Sequence, residues 1–70
     1  MKEYVENKVL ELRKNQNITQ EQFAKAIGVT RQTVIAIEKG VYVPSLLLGL
    51  KIARYFKKTI EEIFTYKNEK

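Results

Sequence analysis

Seventy residues make one domain, and a chain of that size buries only about 60% of the surface it exposes when unfolded. Cysteine, histidine and aspartate are absent, which excludes a disulfide framework, a zinc site and the usual catalytic constellations. Thirteen basic residues against 8 acidic ones give a formal charge of +5 and favour a polyanionic partner.

The start, MKEYVENKVL, lacks the apolar core of a signal peptide. The longest apolar run, Ser45 to Leu50, falls far short of the roughly 20 residues a membrane span needs. The expected location is the cytoplasm, with no membrane partner. No metal or cofactor is expected.

In chain order, Glu3-Tyr4-Val5 alternates polar and apolar residues, as does Phe64-Thr65-Tyr66-Lys67 near the other end. The two stretches are expected to pair as a short two-stranded ribbon, with frayed tails as the alternative. Asn7 can cap a first helix running to about Gln16, with Val5, Val9 and Leu12 as its apolar stripe. Thr19 and Gln22 form a capping box for the second helix, and Ile18 and Phe23 a hydrophobic staple around it. Gly28 ends that helix in the left-handed conformation. Thr30 caps a third helix that runs to about Lys39, again stapled, by Val29 and Val34.

Val34 and Ile37 make the buried stripe of the third helix, and Arg31, Gln32, Ile35, Ala36 and Lys39 lie opposite. Pro44 imposes extended backbone, and Ser45 caps a fourth helix running to about Phe56. Leu46, Leu50, Ile52, Ala53 and Phe56 are expected to face inward there. Thr59 and Glu62 form a second capping box, for a short fifth helix ending near Phe64. The expected fold class is therefore all-α, five compact helices in residues 1–70, with the terminal ribbon as a possible addition.

Only Gly28, Val29 and Thr30 separate the second and third helices. So short a turn forces a steep crossing, and Ala24 leaves room for the backbones to approach. Such a corner holds one helix out from the body, where its outer face fits a DNA major groove. The pattern Gln20, Ala24, Gly28, Val34, Ile37, Glu38 and Gly40 resembles the helix-turn-helix of phage-repressor and Cro-type regulators, the Xre family. The likeness continues through Pro44-Ser45-Leu46, Leu50-Lys51-Ile52-Ala53 and Thr59 to Phe64, and so spans about residues 7 to 64.

The resemblance implies a role for each matching position. Gln20 corresponds to a glutamine that binds a backbone phosphate at a helix N-terminus, where an anion is favoured. Arg31 and Gln32 open the reading helix. Arginine can bind guanine and glutamine adenine through two hydrogen bonds each. Arg31 has phosphate as an alternative. Thr33 reaches a phosphate, a base or neither. Ile35 and Ala36 are more apolar than is common in the family, and suit a thymine methyl, with packing at the core edge as the alternative for Ile35. Thr30, Lys39, Gly40 and Tyr42 resemble a phosphate clamp at the two ends of the helix. Arg13 and Glu38 match an ion pair that ties the reading helix to the body.

One reading helix spans too few base pairs to select a site. A two-fold homodimer on half-sites about one turn apart solves this. The resemblance implies contact around the fifth helix, through Ile60, Ile63, Phe64 and Leu47, with completion of the monomer core as the alternative, above all for Ile63. The expected function is a sequence-specific double-stranded DNA-binding repressor on a palindromic operator, not an enzyme, with no small-molecule effector. A protein-interaction module or antitoxin-like regulator of the same fold is the alternative.

Overall fold

Four of the five helices begin on a hydroxyl, and that regularity sets the architecture. The computed structural model describes residues 2–69. Its elements are β1 (Lys2–Asn7), α1 (Val9–Asn15), α2 (Gln20–Ile27), α3 (Arg31–Glu38), α4 (Leu46–Phe56), α5 (Ile60–Ile63) and β2 (Phe64–Glu69). Thr19, Thr30, Ser45 and Thr59 each accept the third-residue amide of the helix they precede, at 3.0–3.2 Å. Gln22 and Glu62 reach back to the cap amides and complete two capping boxes. Gly28 takes φ 77°, and the Val29 amide turns back to the Ala24 carbonyl. Glycine adopts that φ without strain, so α2 stops there and the cap of α3, Thr30, follows two residues later.

The core gathers one face from every helix: Val9, Phe23, Ala24, Ile27, Val34, Ile37, Leu48, Ile52, Ala53, Phe56 and Ile63. Ile18 and Val29, the outer halves of the two staples, are half-buried against it. Phe23, Tyr55 and Phe56 form an aromatic triangle, with Phe23 meeting Tyr55 edge-on at 5.3 Å and Phe56 tilted at 5.2 Å between ring centroids. None of the described helices is long and apolar enough to cross a membrane.

The five helices are joined by an antiparallel ribbon, with Lys2 opposite Glu69 and Asn7 opposite Phe64. The ribbon changes three expectations. Val5 belongs to β1 and not to the α1 stripe, since extended backbone claims it first. Asn7 closes β1, yet its Oδ1 still accepts the Val9 amide at 3.0 Å, so it serves the start of α1 from the strand. Phe64 likewise begins β2 rather than ending α5.

Helix α4 is rotated from its expected phase. Leu48, Gly49, Ile52, Ala53 and Phe56 are buried, whereas Leu46 and Leu50 are 74% and 50% exposed. Four leucines within positions 46–50 carry no phase of their own, and Ile52, Ala53 and Phe56 fix the rotation. Ile63, expected at a dimer contact, is wholly buried in its own protomer and has no surface to offer a partner.

Candidate nucleic-acid interface

Helix α3 rests on Val34 and Ile37, both fully buried against α2 and the core. The 3.6-residue period then turns Gln32, Ile35, Ala36 and Lys39 outward as one stripe, with Arg31 at its leading edge. Arg31, Gln32, Lys39 and Thr30 are exposed, and Ile35, Ala36 and Thr33 half-exposed. The Thr30 and Thr33 hydroxyls lie 3.1 Å apart, so these two threonines engage each other across the first turn.

Beneath α3 lies a buried polar lock. Arg13 Nε donates to Glu38 Oε2 at 2.6 Å and Nη2 to Oε1 at 3.3 Å, with both side chains under a tenth exposed. Arg13 Nη1 donates to the Ile18 carbonyl at 2.7 Å. The Gln20 amide nitrogen donates to Glu38 Oε1 at 2.9 Å. One carboxylate at the end of α3 thus collects α1 and the first turn of α2. Among the described residues, no buried side-chain polar atom is left without a partner.

An open cleft at the start of α2 is lined by Leu10, Arg13, Lys14, Thr19, Gln20, Glu21 and Arg31. Thr19 takes the Gln22 amide, which leaves the first-turn amides of Gln20 and Glu21 without an intrahelical acceptor. Arg13 is committed to Glu38, so Lys14 and Arg31 beside these free amides are what suits a phosphate there. Gln20 has a second amide hydrogen beyond the one given to Glu38. Lys14 escaped the sequence reading; its signal is simply a basic residue beside Arg13 on α1.

At the other end of α3 the geometry differs from expectation. Gly40 has only backbone to offer, and its amide donates to the Ile37 carbonyl at 2.9 Å. The Val41 and Tyr42 amides donate to the Ala36 carbonyl. These amides complete the helix end and are not available to a phosphate, so the side chains of Lys39 and Tyr42 are what remains there. Asn7 was also missed in this region. Its Nδ2 donates to the Ile37 carbonyl at 2.9 Å and pins β1 beside the end of α3. An asparagine thirty positions away leaves no local signal of such a bond.

The sequence matches known proteins closely. A family model described as helix-turn-helix matches residues 9–63. An uncharacterized HTH-type transcriptional regulator of Methanocaldococcus jannaschii is 52% identical over 93% of this chain and 98% of its own length. The uncharacterized HTH-type regulator YgzD of Bacillus subtilis is likewise 52% identical, with the same coverage. The transcriptional repressor RstR of the cryptic phage CTXphi in Vibrio cholerae is 35% identical over 81% of this chain and 51% of its own. With the tight α2–α3 corner, the buried lock beneath it and this similarity across nearly the whole length, the chain belongs to the Xre-type helix-turn-helix family of transcriptional regulators.

Proposed function

We propose that the chain is a sequence-specific repressor that binds a palindromic operator in double-stranded DNA as a homodimer, with α3 in the major groove. The observation that carries this is the outward stripe of α3. It is polar at both ends and rigidly seated, and the exposed side chains of Arg31, Gln32 and Lys39 make no hydrogen bond or ion pair among the described residues. Arg31, Gln32, Thr33, Ile35 and Ala36 face base edges. Gln20, Lys14, Thr30, Lys39 and Tyr42 hold phosphates on either side. A repressor of this kind acts by occupying its operator in the cytoplasm, with no catalytic step and no small-molecule effector.

The dimer surface in this reading is apolar and lies around α4. Leu46 and Leu47 are 74% and 69% exposed, and Leu50 and Val43 also stand out. A groove lined by Val5, Val43, Pro44, Leu46, Ile60 and Phe64 continues that surface toward the ribbon. So many exposed large apolar side chains on so small a chain point to an interface. In this reading Leu47, Ile60 and Phe64 belong to it, with Leu46 and Leu50 in place of the buried Ile63.

Selection of bound sequences from a random duplex pool tests the proposal. The expected product is a palindrome with two short arms about one helical turn apart. Affinity for it should fall steeply as salt rises, because phosphate contacts release counterions. Enrichment of nothing at low salt would reject DNA reading and favour the protein-interaction alternative.

A further inference from the structure

We propose that Ile35 reads the 5-methyl group of a pyrimidine in the major groove, so that each half-site requires a methyl-bearing base at one position. The inference rests on the reading of α3 given above and adds its specificity. The outward stripe is Gln32, Ile35, Ala36 and Lys39, and its centre carries no hydrogen-bonding group. The core beneath is filled by Val34 and Ile37, and Ile35 is not among the side chains packed against that core, so part of its surface stays open.

A base edge pressed against Ile35 loses water and gains no donor or acceptor. That penalises the polar edges of guanine, adenine and unmethylated cytosine. The one apolar feature a base pair shows in the major groove is a pyrimidine methyl, so thymine fits and 5-methylcytosine fits in part. Ile35 is β-branched and holds one strongly preferred rotamer in a helix, so its surface is already in place before DNA arrives. Ala36, with a single methyl of its own, offers a smaller apolar surface beside it. Gln32 lies one turn before Ile35, about 5–6 Å away along the same face. With base pairs spaced ~3.4 Å apart, the methyl-bearing base falls one or two steps from the adenine that Gln32 reads.

The test uses the intact chain and the duplex it enriches from a random pool. Each thymine is replaced singly by deoxyuridine, which removes the methyl and nothing else, and binding is followed by fluorescence polarisation. One position in each arm should lose roughly fourfold, the worth of one buried methyl, and both together roughly fifteenfold. At that position cytosine should gain from C5 methylation by a similar factor. Ile35→Ala, at unchanged melting temperature, should bind thymine and deoxyuridine duplexes alike, and Ile35→Val should keep part of the difference. Deoxyuridine tolerated at every position would overturn the proposal with no variant needed. So would an undiminished deoxyuridine penalty in Ile35→Ala, which would assign the methyl to another residue. Failure to enrich any sequence would overturn the DNA-binding reading itself, a distinct result.

Discussion

Arg13 contributes two bonds to Glu38 and one to the Ile18 carbonyl, all where water is scarce. Removing one partner of such a pair leaves the other charge buried and uncompensated, at a cost of about 3–5 kcal/mol. Arg13→Ala should therefore lower the urea midpoint sharply and weaken DNA binding with it, while Arg13→Met combined with Glu38→Leu should lose much less stability. A single variant that melts and binds like the parent would deny the lock any role. Gly49 poses the opposite case. It sits inside α4, and a Cβ built there meets nothing nearer than Ile60 Cδ1 at 4.0 Å. Alanine at that position should raise stability by about 0.5–1 kcal/mol, read as a higher melting temperature. A drop would mean that another chain packs against that turn of α4.

Among elements, what the sequence discloses tracks how local its cause is. Capping is local: hydroxyl, spacing and staple lie within five residues, and α2, α3, α4 and α5 start where Thr19, Thr30, Ser45 and Thr59 place them. The leucine-rich start of α4 fits several phases, and its rotation is settled only where Ile52, Ala53 and Phe56 meet Phe23, Ile63 and the rest of the core. The polar lock was half legible. Arg13 and Glu38 follow from resemblance to the family, but the Gln20 bond to the same carboxylate needs three helices in place. The amides after α3 could not be assigned until their acceptors, Ile37 and Ala36, had positions.

Helix α5 has one turn and depends on its cap, which gives it a pH dependence. The Glu62 carboxyl is held below the ordinary carboxylate range, chiefly by its hydrogen bond from the Thr59 backbone amide. Because the folded form binds its proton less readily than the unfolded form, the cap's contribution is present above the unfolded pKa. It is lost as pH falls through the folded one. Acidification through that window should loosen α5 first, seen by NMR as a shift of the Thr59 amide that titrates with Glu62. Glu62→Gln should keep the box, as Gln22 does for α2, and abolish the titration.

For the molecule as a whole, the proposed two-fold assembly makes oligomeric state and DNA affinity one linked quantity. Leu47→Lys, at a 69% exposed position, should leave the protomer's melting little changed. The same substitution should shift sedimentation toward the monomer and reduce affinity for a two-armed duplex far more than for a single arm. Unaltered sedimentation would remove Leu47 and the α4 face from the interface.

The ribbon bears on folding order as well as architecture. Its Tyr66 hydroxyl donates to Glu3 at 2.7 Å across 63 positions of sequence. No tight turn brings such strands together, and a lone two-stranded pair is marginal in water. Closing so long a loop is costly until the helices have already brought its ends near. The strands should therefore zip last and open first, exchanging their amide hydrogens for deuterium while those of α2 and α4 remain protected.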